Sequence, residues 1–288
     1  MTLQSPKKLY LLLLCGLLVV NGFLLSVTTS QTGKNEPRVS FLDVGQGDSI
    51  LIQSPSGNTL LVDAGPSNSV LRVLGSQLPF SQRDIDVILT THADADHIGG
   101  FPAVLEQFAV TKALISSIPG DSSINKTFSE RLETEGSEVV FGKRNIVVDF
   151  GDGLYLQLLS PGSILTKGDT NTGSLVGMLH YGNSKVLLTG DAPISIEKYL
   201  VSLDSSALQS DILKVGHHGS RTSSDPSFIE TVQPEYSIIS AGLNNKYGHP
   251  HQEVIDILQK NNSTILSTAE LGTISFALTK HAGVQRVE

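Results

Sequence analysis

The stretch Thr90-Thr91-His92-Ala93-Asp94-Ala95-Asp96-His97-Ile98-Gly99-Gly100 decides how this chain is read. Four side chains able to bind a metal, His92, Asp94, Asp96 and His97, fall within six residues. The apolar run Val87 to Thr90 ahead of them reads as a short buried strand, and Phe101 to Phe108 after them reads as a helix. A short loop between a strand and a helix can wrap its side chains around one point. Gly99-Gly100 removes side chains where the helix must begin close to that point. Imidazole mixed with carboxylate suits zinc, manganese or iron rather than calcium. A lone aspartate before a helix is commonly an N-cap. Capping does not explain two histidines and two aspartates at this spacing.

Outward from this loop, short apolar runs alternate with turn residues. Strands are expected at Arg38 to Asp43, Ser49 to Gln53 and Thr59 to Asp63, separated by Gly45-Gln46-Gly47 and Pro55-Ser56-Gly57-Asn58. The second half repeats the style. A hairpin is expected over Ser174 to Tyr181 and Lys185 to Thr189, then a helix over Ile194 to Leu203 and a strand over Asp211 to Val215. Further helices are expected over Pro226 to Val232 and Pro250 to Lys260, and a closing strand over Thr273 to Leu278. Periodicity alone supports α/β layers, two sheets with helices packed outside.

With 288 residues the chain can bury a substantial core. Its net charge of −8 argues against holding duplex nucleic acid by charge alone. The only cysteine is Cys15, which excludes a disulfide framework and a cysteine-rich zinc site. Any metal must be held by His, Asp, Asn or Glu. Lys7-Lys8 precede an apolar run from Leu9 to Val20 that Phe23 to Val27 extends. Its length lies between a signal-peptide core and a membrane-spanning helix. Residues 1–36 are therefore expected to be a signal peptide or membrane anchor plus linker, and 37–288 the folded domain. The lysines place the domain outside the cytoplasmic membrane, secreted or anchored to its outer face.

Several ordered motifs carry a resemblance. They are the HxDxDH run at His92 to His97, Phe41 to Ser49 (FLDVGQGDS), Leu61 to Gly65 (LVDAG), Leu188 to Ala192 (LTGDA) and Leu213 to Ser220 (LKVGHHGS). Together they resemble the metallo-β-lactamase superfamily, and within it the C-terminal hydrolase domain of the ComEC competence proteins. The resemblance runs from about Arg38 to about Leu278. It implies an αββα sandwich of two sheets between helices, with one or two divalent ions, Zn2+ or Mn2+, at one edge.

The resemblance also implies roles. His92 and Asp94 would serve a first metal position, Asp96 and His97 a second, and Asp191 would bridge them. One of His217 and His218 would complete the second position. His217 is favoured as the ligand because it comes first after the strand, which leaves His218 to contact substrate, assist the leaving group or donate an outer hydrogen bond. The family's usual third histidine of the first position is missing. Asn171, in Asp169 to Val176, stands in the corresponding segment and would ligate through its amide oxygen or bind substrate. Asp96 would both ligate and accept a proton. His249, in Tyr247 to His251, would contact phosphate or donate a proton, although Pro250 also fits a plain helix start. Asp63 would orient a metal-binding histidine. Asp48 would do the same or shape a turn. Ser220 lies near the same edge. Lys214, Arg221 and Lys246 are the cations expected nearby.

The implied chemistry is hydrolysis by metal-activated water. The leading substrate is a phosphodiester, in particular single-stranded DNA, because ComEC domains are proposed to degrade the strand that does not enter the cell. The alternatives are a lactonase or cell-surface phosphocholine esterase on the same site, and a binding module that keeps the fold with a degenerate metal site. The sequence identifies no protein partner.

Overall fold

The central strands are apolar at successive positions because both of their faces are covered. The computed structural model describes residues 36–165 and 167–287. Apart from Glu36, the signal or anchor expected over residues 1–36 lies outside the described residues. Among the described residues, no helix is long and apolar enough to cross a membrane.

Six strands open the first sheet in chain order: β1 (Arg38–Phe41), β2 (Ile50–Gln53), β3 (Thr59–Val62), β4 (Asp84–Thr90), β5 (Ala109–Ile115) and β6 (Glu138–Phe141). Seven form the second: β7 (Val147–Gly151), β8 (Leu154–Ser160), β9 (Val176–Tyr181), β10 (Ser184–Leu188), β11 (Ile212–Lys214), β12 (Tyr236–Ile239) and β13 (Thr264–Ser267). The chain then returns to the first sheet with β14 (Ile274–Leu278) and β15 (Val284–Arg286). The orders are β15-β14-β1-β2-β3-β4-β5-β6 and β13-β12-β11-β10-β9-β8-β7. In each sheet an antiparallel part meets a parallel one: β3 to β6 run parallel, and so do β10 to β13.

Three apolar layers hold the sheets and helices together. On β2, Ile50 and Ile52 face the core between the sheets while Leu51 faces the outer helices. On β10, Val186 and Leu188 face the inner core and Leu187 the helices on the other side. This two-residue alternation makes each central strand a wall shared by two cores. Helices α1 (Ser69–Gln77), α2 (Ala95–Ile98), α3 (Phe101–Gln107) and α4 (Ser123–Glu135) follow strands of the first sheet. Helices α5 (Ile194–Asp204), α6 (Pro226–Val232) and α7 (Gln252–Lys260) follow strands of the second, with Leu200, Phe228 and Val254 in its outer core. The architecture is the expected αββα sandwich.

Several short elements, among them the following two, are not predicted from the sequence. The ligand-bearing loop contains α2, a single turn with Asp94 at its N-cap. The strand β15 extends the first sheet beyond β14. Both are shorter than the windows over which periodicity can be read.

Candidate metal centre

The loops that leave the C-terminal ends of β3, β4, β10, β11 and β12 carry Asp63, His92 to His97, Asp191, His217-His218 and His249 respectively. In open α/β sheets this end is where chain connections can gather polar groups around one point. Here they do so around the carboxylate of Asp191.

Four imidazoles approach it, those of His97, His218, His92 and His217. His97 Nε2 is 3.3 Å from Asp191 Oδ1, and His218 Nε2 is 3.6 Å from Asp191 Oδ2 and 3.3 Å from Asp96 Oδ2. His92 Nε2 is 3.8 Å from the same Asp191 Oδ2 and 3.7 Å from Asp94 Oδ2. His217 Nε2 approaches the same Asp191 oxygen at 3.5 Å. Ligand atoms about 2.0–2.2 Å from one ion are spaced about 3–3.5 Å apart, so His97, His218, Asp96 and Asp191 are spaced as ligands of one metal, and His92 stands slightly farther from Asp94 and Asp191.

The donor chemistry supports this fit. His92 Nε2, His97 Nε2, His218 Nε2 and Asp191 Oδ1 are buried and make no hydrogen bond. Buried polar atoms are rarely left so. Their opposite edges are tied down. His97 Nδ1 lies 2.8 Å from Asp63 Oδ2, which also accepts from the Thr91 hydroxyl at 2.6 Å. His218 Nδ1 donates to the Ser240 carbonyl at 2.9 Å, and His92 Nδ1 lies 3.0 Å from the Thr91 hydroxyl. A ring held by one nitrogen presents the other as a lone pair.

The electrostatics point the same way. Burial, and then the charge of His97, pushes His92 down to about 4, which keeps its ring neutral. Burial also opposes the charged form of His97 and His218, but the surrounding carboxylates outweigh it. Asp191 and Asp63 hold His97 well above its ordinary range, and Asp191 and Asp48 raise His218 to about 9. Asp191 lies well below the usual carboxylate range, because His218 and then His97 overcome the cost of its burial. Such a concentration of buried negative charge attracts cations, and a bound metal displaces the histidine protons.

Asp48 lies close enough to be counted with His97, Asp191 and His218. We exclude it from the metal set because its Oδ2 is paired with the Lys214 ammonium at 2.6 Å. Its Oδ1 sits 3.2 Å from His218 Nδ1, the nitrogen that points away from Asp191. Lys214 is fully buried in this pair. It is therefore not the substrate-facing cation expected from the sequence.

The paired histidines also differ from expectation. His217 is the expected ligand of the second position, and the structure puts His218 beside Asp96 and Asp191 instead. Both residues are left-handed, with φ of 49° and 55°. Two successive left-handed residues reverse the facing that the strand end suggests. His218 is buried and His217 is 27% exposed, with its Nδ1 2.9 Å from the Thr222 hydroxyl. Ser220 acts through this contact, because its hydroxyl accepts from Thr222 at 3.0 Å.

The remaining residues form the rim. Asn171 Oδ1 is buried without a hydrogen bond, and the neighbouring Thr170 hydroxyl donates to Asp94 at 2.7 Å. His249 packs 5.7 Å from the His217 ring and 6.4 Å from the His218 ring, centroid to centroid. Burial, and then these two rings and His251, pushes His249 down to about 4, so it stands at the rim as a neutral imidazole. Arg221 and Lys246 are exposed; Arg221 lies 3.8 Å from Glu253, and Lys246 sits over the Tyr247 ring.

Comparison with known proteins agrees with the fold. A family model described as the metallo-beta-lactamase superfamily matches residues 42–242. Over 270 residues the chain is 33% identical to "ComE operon protein 3" of Bacillus subtilis, covering 86% of this chain and 34% of that protein. Over 250 residues it is 31% identical to "Recombination protein 2" of Haemophilus influenzae, covering 85% of this chain and 29% of that one. The chain thus spans about a third of the length of these relatives. Among solved structures, the metallo-beta-lactamase fold protein YhfI of Bacillus subtilis superposes with a TM-score of 0.52 at 13% identity, covering 81% of this chain and 96% of that one. The matched region spans both halves of the sandwich and every residue gathered around Asp191 except His249: the chain belongs to the metallo-β-lactamase superfamily.

Proposed function

We propose that this chain is an extracytoplasmic metal-dependent phosphodiesterase that acts on single-stranded DNA. The observation that carries the metal-dependent part is the set of four buried atoms without hydrogen bonds around Asp191. Asp96, His97, Asp191 and His218 would hold one divalent ion, and His92, Asp94 and Asp191 a second. Two imidazoles make the former set the better one for Zn2+. The oxygen-rich latter set suits Mn2+. When bound, the ions supply a water activated near neutral pH and a Lewis acid for the scissile phosphoryl oxygen.

The chain's own groups do the rest. Asp63 and the Ser240 carbonyl fix the His97 and His218 rings so that each offers Nε2. Asp96 is partly exposed and can accept a proton at the mouth of the site. His249 meets the substrate as a neutral imidazole. A phosphodiester's negative charge favours its protonated form, which can then donate to the leaving oxygen. The similarity to a protein named for recombination supports DNA as the substrate class. The Lys7-Lys8 segment and its apolar run support a position outside the membrane.

The test is hydrolysis by the purified chain, with Zn2+ or Mn2+, of single-stranded DNA, a lactone and a phosphocholine ester. Cleavage of DNA alone is expected. Cleavage of only the lactone or ester would replace the substrate, and no hydrolysis with any metal would favour a binding module. For location, alkaline phosphatase fused after residue 40 is expected to be active, and an inactive fusion would overturn the placement.

A further inference from the structure

The loop between β12 and α7 carries His249 to the rim of the metal centre and leaves two large side chains in solvent. Leu243 is 73% exposed and Tyr247 is 51% exposed. Neither belongs to any of the three apolar cores. Exposed apolar side chains beside a polar site mark a surface that meets a ligand. The Tyr247 ring stacks on the His249 ring at 22°, with centroids 5.6 Å apart, and His249 in turn packs against His217. The rings form a row that runs outward from the metal centre to Tyr247.

We infer that Tyr247 is a stacking platform for the base of the leaving nucleotide, and that it makes the site prefer a nucleic-acid strand to a bare phosphodiester chain. The inference rests on the reading above, in which His249 donates to the leaving oxygen. Three observations support it. The platform is held rigidly. Asn245 Nδ2 donates to the Gly242 and His249 carbonyls at 3.0 and 2.6 Å, and Asn245 Oδ1 accepts from the Tyr247 and His249 amides at 3.2 and 3.0 Å. The Gly242 amide donates to Gln46 Oε1 at 3.1 Å, which ties the start of the loop to the turn after β1. A ring held this way needs little ordering when a base arrives. The ring's cover is displaceable. Lys246 is exposed, and its Nζ lies 5.0 Å from the Tyr247 ring centroid. A base that takes its place frees the ammonium to meet a phosphate. The position also fits, because a base on Tyr247 brings the ester oxygen of its own nucleotide to the side of His249. Stacking accepts any base, since each has a π-face. It therefore holds a strand without a broadly basic surface, as a chain of net charge −8 requires.

The purified full chain, loaded with Mn2+, is given oligothymidylate and an abasic oligomer of the same length, which carries the same phosphates and no bases. Wild type is expected to favour oligothymidylate in kcat/KM by about 5–150-fold, the equivalent of about 1–3 kcal/mol for one stacked base. Tyr247→Ala should cleave the two at nearly equal kcat/KM, and Tyr247→Phe should keep the preference. A merely structural role would lower both substrates together and leave their ratio standing. The chain has no tryptophan, so Tyr247→Trp adds a reporter at the platform itself. Rapid mixing, read before turnover, should show its fluorescence quenched by oligothymidylate and not by the abasic oligomer. Cleavage of oligothymidylate by wild type, with the preference retained in Tyr247→Ala or no quenching in Tyr247→Trp, would overturn the inference and leave the nuclease reading intact. Quenching without any cleavage would keep the platform and overturn the nuclease. Neither cleavage nor quenching would overturn both.

Discussion

Replacing Lys214 with methionine should cost this protein a large part of its stability, although Lys214 touches neither metal position. Its ammonium is fully buried, 2.6 Å from Asp48 Oδ2, and it also donates to the Val215 carbonyl at 3.0 Å. Asp48 is equally buried. Its carboxyl lies well below the ordinary range: burial opposes ionisation, but Lys214 and then His218 outweigh it. Lys214→Met keeps the length of the apolar stem, so little cavity is created. What remains is a buried carboxylate with only His218 to offset it. Removing one partner of a buried pair costs about 3–5 kcal/mol, against a total stability of about 5–15 kcal/mol for a typical domain. With no cavity to add, we expect the lower end, about 3 kcal/mol. Urea unfolding of the metal-free protein, followed by circular dichroism, measures it. Lys214→Met/Asp48→Asn should be more stable than Lys214→Met alone, because it leaves no buried charge uncompensated. A loss under about 1 kcal/mol in Lys214→Met, or a double variant less stable than the single, would refute the reasoning.

Glu197, buried on α5, accepts from the Ser224 and Asp225 amides at 2.7 Å each. Burial, aided by the nearby Asp225 charge, raises it to about 7 against those two bonds. Folding therefore favours its protonated form. Its contribution is fully present below the unfolded value near 4.5 and is lost as pH rises through about 7. Between pH 5 and 8 the metal-free wild type should lose up to about 3 kcal/mol relative to Glu197→Gln, and parallel pH–stability curves would contradict this. Gly47 has φ of +130°, and a β-carbon there would meet the Asp96 carbonyl at 2.1 Å. Gly47→Ala should displace the ligand loop and weaken metal binding by at least about tenfold, measured by Co2+ titration; unchanged affinity would mean that the loop tolerates the shift.

The ligand loop and Asp191 were legible in the sequence because each depends on local features. A strand followed by closely spaced donors is local, and so is an aspartate in a glycine turn after a strand. The alternation of the central strands was legible for the same reason. What was hidden depends on residues far apart in the chain. Lys214 looked like a cation for substrate because nothing near it in sequence names Asp48 as its partner. His217 and His218 could not be assigned, since which one turns inward is set by two left-handed backbone angles and by Ser240. The fully buried Asp63 paired with His97 is a middle case. Its place at a strand end was readable, but which histidine it holds was not.

Metal content and hydrolysis, measured together on wild type and Asp191→Ala, test the two-metal hydrolase most directly, because Asp191 faces both groups of ligands. Each protein is loaded with Zn2+ or Mn2+, its bound metal is counted by mass spectrometry, and cleavage of a bis-phenyl phosphodiester and of single-stranded DNA is followed. Wild type should hold about two equivalents and cleave both substrates, and Asp191→Ala should hold one loosely or none and cleave neither. Wild type with far less than one equivalent and no cleavage, or Asp191→Ala with full metal and full rate, would contradict it.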